Sequence, residues 1–123
     1  MNHRLKRELR DLGLVAAGAI PGALLRWQLE LTMPPQAILL ANLIGCLLIG
    51  VLLGQPSRRD SLYLWGGIGF CGSLTTFSSW MLELVRQLET GRSLLAALQL
   101  AVSLMGGLGL VQLGSSLAAR RWR

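Results

Sequence analysis

Four long apolar runs, joined by short polar stretches, occupy nearly all of the 123 residues, over approximately 12–33, 36–54, 62–85 and 93–119. Crossing a hydrocarbon core of ~30 Å takes about 20 largely apolar residues in a helix, so each run is of spanning length. Composition agrees: 52% of residues are hydrophobic and 15% charged, with a mean hydropathy of +0.51, too apolar for a soluble domain of this size. None of the runs alternates in polarity as a membrane strand would. The expected fold is an all-α integral membrane protein of four transmembrane helices, residues 1–123 forming one transmembrane domain. Four spans with short joints leave no soluble portion to house an enzyme.

The N-terminus carries Arg4, Lys6, Arg7 and Arg10 ahead of the first run and superficially resembles a secretory signal. The apolar stretch is longer than a signal's hydrophobic region, lacks a clear small-residue cleavage site and leads into further spans, so a retained first helix is expected. Formal net charge is +6, but the positive residues sit in tails and joints rather than along one face. That pattern argues for topology determinants and against nucleic acid as a partner. Four spans place both termini and the joint near residue 57 on one side. Of the 12 basic residues, nine lie there (Arg4, Lys6, Arg7, Arg10, Arg58, Arg59, Arg120, Arg121 and Arg123), against Arg26, Arg86 and Arg92 on the other. The positive-inside bias then predicts cytoplasmic termini. Cys46 and Cys71 lie inside apolar runs and read as reduced packing residues, without a disulfide framework or metal-ligand spacing.

Four-residue spacing defines two helix faces. Gly18, Gly22 and Arg26 share one on the first span; Asn42, Cys46, Gly50 and Gly54 share one on the second. Small residues let helix backbones approach, and the Gly18–Gly22 face serves equally for packing within a subunit or between subunits. Asn42 is different, because an amide in hydrocarbon is costly without a partner and intramembrane polar groups tend to line pathways. Pro34-Pro35, the stretch from Gln55 to Asp60, and Thr90-Gly91-Arg92 read as turns.

The third run holds Gly-Gly-Ile-Gly-Phe-Cys-Gly-Ser-Leu-Thr-Thr-Phe-Ser-Ser-Trp, from Gly66 to Trp80. Gly67, Gly69 and Gly72 spell G-x-G-x-x-G, but that fingerprint acts only between a strand and a helix of a soluble unit, so here it is coincidence. His3 is the one histidine, which excludes an acyl-transfer triad and a zinc site. What remains is Gly72-Ser73-Leu74-Thr75-Thr76, residues that weaken a helix near the centre of a span. If the helix opens there, carbonyls of its first half become ligands and amides of its second half face the gap, an ion site of either sign. The competing possibility is a continuous helix whose hydroxyls bond back to the preceding turn.

Gly69-Phe70-Cys71-Gly72-Ser73-Leu74-Thr75-Thr76-Phe77-Ser78-Ser79-Trp80, with Glu83 three residues on, closely resembles the third-helix signature of the CrcB/Fluc fluoride channels. Gly-Ala-Leu-Leu-Arg-Trp at 22–27 is similar to that family's first-helix pattern, and Asn42-Leu-Ile-Gly45 to its second-helix Asn-x-x-Gly. Ser103 and Gly114 fit its fourth helix. The resemblance covers nearly the whole chain.

The resemblance implies a dual-topology, antiparallel dimer in the cell inner membrane, with the third helices broken at their centres and crossing at the midplane. It implies a structural, non-transported sodium ion held there by backbone carbonyls, which on this chain belong to Gly72 and Thr75. It also implies two fluoride pores, lined by a polar track of Asn42, Ser78, Ser79 and Ser103 and by an aromatic pair, Phe77 and Trp80. Arg26 and Glu83 fall at the vestibule, where Arg26 either concentrates anions or simply anchors its helix. The implied function is passive export of cytoplasmic fluoride, reducing its toxicity, with fluoride and membrane lipid as partners. Three positions depart from the family pattern: Trp80 for a second phenylalanine, Gln99 for a frequent tyrosine, and Ser73 for a usual glycine. Trp80 leaves the pore constricted, altered or competent.

A small multidrug exporter also has four spans, but proton coupling needs a carboxylate within the first span, and none precedes Glu30 at its end. The charge bias sits uneasily with self-pairing in opposite orientations. It allows a second assembly, a heterodimer with an oppositely oriented paralogue.

Overall fold

The computed structural model describes residues 2–33, 36–55 and 60–121, and its regular structure is helical, with no strand among the described residues. The expected Pro34-Pro35 turn, the centre of the joint between Gln55 and Asp60, and Arg123 lie outside the described residues.

Helix α1 (His3–Thr32) begins well ahead of the apolar run. Asn2 caps it by accepting the Arg4 N–H at 3.3 Å, and Arg4 Nε pairs one turn on with Glu8 at 3.0 Å, local contacts that carry the helix into the basic tail. Helix α2 (Gln36–Leu53) follows. A third run starts as α3 (Asp60–Leu62), widens into a π-helical stretch (Tyr63–Cys71) and closes with one turn, α4 (Gly72–Leu74). Helix α5 (Ser78–Glu89) comes next. It ends in the expected turn, where the Gly91 N–H donates to Leu88 and the Arg92 N–H to Gln87. That double closure needs a left-handed residue, and Gly91 supplies it at φ 76°. The last run is α6 (Ser93–Ala101), a π-helical stretch (Val102–Gly106) and α7 (Gly107–Arg121).

Small residues set the packing. A Cβ on Gly18 would collide with the Trp65 carbonyl, one on Gly22 with the Ser73 hydroxyl, and one on Gly69 with the Val15 carbonyl, so α1 lies directly on the π-helical stretch of its own chain. Of the two uses open to the Gly18–Gly22 face, the chain makes the internal one. Helix α2 meets α7 in the same way, Gly50 against Val111 and Gly54 against Ser115. Trp80, Leu84 and Ala96 form the buried cluster between α5 and α6, with Ile38 packed against it. Arg10 Nη2 donates to Ser61 Oγ at 2.9 Å, which puts the polar start of α1 beside the start of the third run.

The large apolar side chains mostly face outward: Leu94, Met105 and Leu108 are 74%, 76% and 73% exposed. In water such a surface would associate or aggregate, whereas in lipid it needs no cover. Among the described residues, His3–Thr32 and Ser93–Arg121 are long and apolar enough to cross a membrane, and Ala37–Leu53 is a shorter apolar helix.

Candidate functional site

The site is organised around residues 75–77, which carry no helical assignment between α4 and α5. Thr75 is extended, at φ −79° and ψ 153°. In a continuous α-helix the Thr76 N–H would serve the Gly72 carbonyl, and the Ser79 N–H the Thr75 carbonyl. Instead the Thr76 N–H donates to Asn42 Oδ1 at 2.8 Å, and Asn42 Nδ2 donates to the Thr76 carbonyl at 3.2 Å. The Ser79 N–H turns to the Thr76 hydroxyl at 3.3 Å, a cap at the start of α5. Gly45 makes the reach possible: a Cβ there would strike the Thr75 methyl, so α2 comes close enough for Asn42 to bracket Thr76.

The carbonyls of Gly72 and Thr75 are thereby left without a backbone donor among the described residues. The Thr75 hydroxyl donates to Cys71 at 2.9 Å and reaches Gly72 only at 3.5 Å. Free carbonyl oxygens are the ligand type that hard cations take.

Beside these residues lies a cavity of about 320 Å³, lined by Asn42, Cys46, Thr75, Thr76, Phe77, Trp80, Ser103 and Leu104. None of these side chains carries a formal charge. Phe77 is 71% exposed and Trp80 9%, their ring centroids 5.7 Å apart and the planes tilted by 52°. Trp80 Nε1 donates to Ser103 Oγ at 3.0 Å. Ring edges, amide and hydroxyl donors, without a fixed cation, are the equipment for holding an anion loosely.

A second cavity, of about 270 Å³, is lined by Glu30, Ala37, Ile38, Ser79, Leu82, Glu83 and Arg86. Gln87, 6% exposed, donates through Nε2 to both Glu83 and Gln99. Arg26 Nε and Glu30 Oε1 are buried without a hydrogen-bond partner among the described residues.

The structure therefore brings Asn42, Thr75, Phe77, Trp80 and Ser103 around one cavity, and Ser79 with Glu83 around the other. Ser78 stands exposed at the start of α5, its hydroxyl 3.4 Å from that of Thr76. Gly72 is exposed, and Arg26 lines neither cavity. Thr76 and Gln87 were not singled out by the sequence. A polar residue one turn beyond Glu83, just past the third apolar run, is the only signal that Gln87 offers; Thr76 is visible only as part of its run.

Residues 13–115 match the family described as CrcB-like protein, Camphor Resistance (CrcB). The chain is 50% identical over 117 residues to Fluoride-specific ion channel FluC 2 of Synechococcus sp. (strain CC9605), covering 94% of this chain and 86% of the relative. It is 49% identical over 118 residues to the protein of the same name from Parasynechococcus marenigrum (strain WH8102), with the same coverage. Fluoride-specific ion channel FluC 1 of Prochlorococcus marinus (strain NATL2A) is 41% identical over 109 residues, covering 87% and 88%. The resemblance seen in the third-run motif thus extends along the chain, which belongs to the CrcB-like family of membrane proteins.

Proposed function

We propose that this chain is a subunit of a dimeric, fluoride-selective channel through which cytoplasmic fluoride leaves the cell passively. The carrying observation is the uncharged cavity beside residues 75–77, lined by donors and bordered by the exposed Phe77. Relatives named fluoride-specific ion channels support the choice of ion.

Fluoride is small, strongly hydrated and a strong hydrogen-bond acceptor, so a pore must replace its water with donors. Asn42 spends one amide N–H on Thr76 and keeps a second. Ser103, from the π-helical stretch Val102–Gly106, and the hydroxyls of Ser78 and Ser79 at the start of α5 continue the series, and the edges of Phe77 and Trp80 add partial positive charge. With no cationic side chain lining the cavity the anion is bound weakly enough to leave, while larger halides gain less from close donors. Glu83 and Arg26 stand at the vestibule. Neutral HF entering from acidic surroundings dissociates inside, and the membrane potential drives the anion out with ~2.3 kcal/mol per 100 mV.

Residues 75–77 are read as the break at the centre of the third membrane span. Gly72 and Thr75, whose carbonyls no backbone N–H claims, are the residues that would hold a structural sodium ion. Such an ion would supply positive charge at the break without itself being transported. A second subunit in the opposite orientation would cover Phe77 and the open side of the cavity. The nine-to-three distribution of the 12 basic residues, together with relatives whose names are numbered 1 and 2, supports an oppositely oriented paralogue as partner; self-pairing is the other assembly. Paired with a paralogue, this chain would keep its termini on the cytoplasmic face of the inner membrane; self-pairing would require half of the copies in the opposite orientation.

The test is fluoride efflux from liposomes for the parent and Asn42→Asp, alone and co-reconstituted with a paralogue. The expected result is fast fluoride and negligible chloride efflux, lost in the variant. Equal fluoride and chloride flux, or none in any pairing, contradicts the proposal. Fluoride-permeable dimers formed by this chain alone exclude an obligatory heterodimer.

A further inference from the structure

One hydrogen bond beside the cavity has a direction fixed by chemistry. An indole N–H can only donate, so Ser103 Oγ, 3.0 Å from Trp80 Nε1, is the acceptor. Helical serines and threonines commonly turn their own proton back onto a carbonyl one turn earlier, and Thr32, Ser73, Thr75 and Thr90 all do so in this chain. Ser103 does not: its hydroxyl proton meets no acceptor among the described residues. It lies in the π-helical stretch Val102–Gly106, the kind of widened turn that accompanies functional sites, and it lines the cavity with Trp80 and Asn42. Trp80 is 9% exposed and clustered with Leu84 and Ala96, which holds the indole in place.

We infer that Trp80 is a positioning and specificity-determining residue: its indole N–H, donated to Ser103 Oγ, holds the serine side chain turned toward the cavity and away from the carbonyls of its own helix, which leaves the hydroxyl proton free for the anion there. The inference rests on the cavity being the anion path, as proposed above. The tryptophan then acts as a preset for a donor rather than as an obstruction. Phenylalanine at position 80 would keep the ring edge and release Ser103 to the preceding turn. A small, strongly accepting anion gains most from a donor that is already turned outward; chloride gains little.

The experiment compares the full-length parent with Trp80→Phe, Ser103→Ala and the double variant, as fluoride and chloride efflux from liposomes at matched protein content. Trp80→Phe lowers fluoride efflux roughly tenfold, equivalent to about 1.4 kcal/mol, with chloride unchanged. In the Ser103→Ala background it adds less than about twofold, whereas Ser103→Thr, which retains the hydroxyl, preserves the full response. Equal losses in the parent and Ser103→Ala backgrounds, or no loss at all, overturn the inference. A check on the parent that needs no variant is the 15N-resolved indole N–H signal of Trp80. Fluoride leaves it unmoved if the N–H stays on Ser103, and a large downfield shift, meaning that the indole itself takes the anion, overturns the inference. A parent that passes no fluoride either alone or co-reconstituted with a paralogue refutes the channel reading; a conducting parent with additive losses refutes only the role of Trp80.

Discussion

Replacing Asn42 with leucine removes both partners of Thr76 while filling similar space. Thr76 is 8% exposed, and its backbone N–H and carbonyl are both bound by the Asn42 side chain, at 2.8 and 3.2 Å. Each buried group left unpaired costs ~1–3 kcal/mol. The expected loss of stability is therefore ~2–6 kcal/mol. Asn42→Asp separates the two bonds. An ionised carboxylate still accepts from the Thr76 N–H but has nothing to donate to the carbonyl, so its loss from hydrogen bonding is about half as large, with the cost of a membrane-buried charge added. The assay is reversible unfolding of the full chain in lipid–detergent bicelles, driven by steric trapping and referenced to Gly13→Ala. At Gly13 a Cβ meets nothing within 4 Å, so that reference isolates the effect of substitution itself. Stability of Asn42→Leu within ~0.5 kcal/mol of the parent would refute the reasoning, since it would mean that water or another group serves Thr76 at no cost.

Gly22→Ala, whose Cβ would strike the Ser73 hydroxyl and crowd the Phe70 carbonyl, is expected to cost ~1–3 kcal/mol by overpacking; Gly109→Ala, with nothing within 4 Å, is expected to match the Gly13→Ala reference in the same unfolding assay. Gln87→Leu strands the Gln99 oxygen and releases Glu83, a destabilisation of ~1–3 kcal/mol, and adding Gln99→Leu restores most of it because the buried position 87 and its half-buried partner are then both apolar. A terminal reporter active only in the cytoplasm is expected to be active in essentially all molecules, as the basic bias dictates. An even split between the two orientations would instead point to self-pairing.

Helical class is legible in this sequence because the apolar runs are long and do not alternate, and the outward-facing Leu94, Met105 and Leu108 carry that pattern into three dimensions. The turn at 90–92 is legible for a local reason, since only glycine takes φ 76° without strain. Family membership is legible in the residues from Gly69 to Trp80. Other features depend on partners remote in the chain. Asn42 declares by its polarity that it needs one, but Thr76 lies 34 positions away, and no spacing rule selects it over its neighbours. The destination of the Trp80 N–H is equally hidden, because Ser103 reaches it from another helix through a π-helical turn that local propensity does not announce. Helix α1 outruns its apolar segment because a cap and an i,i+4 ion pair, rather than hydrophobicity, set its start.

Ion selectivity itself is tested most directly by the zero-current potential of the reconstituted protein, with its paralogue if one is required, in a planar bilayer holding fluoride salt on one side and chloride salt of the same cation on the other. A donor-lined cavity without a cationic side chain, bracketed by Asn42 and Ser103, predicts a potential displaced from zero toward the equilibrium value for fluoride. A potential near zero, or one following the cation gradient when the salts are made unequal, would contradict it.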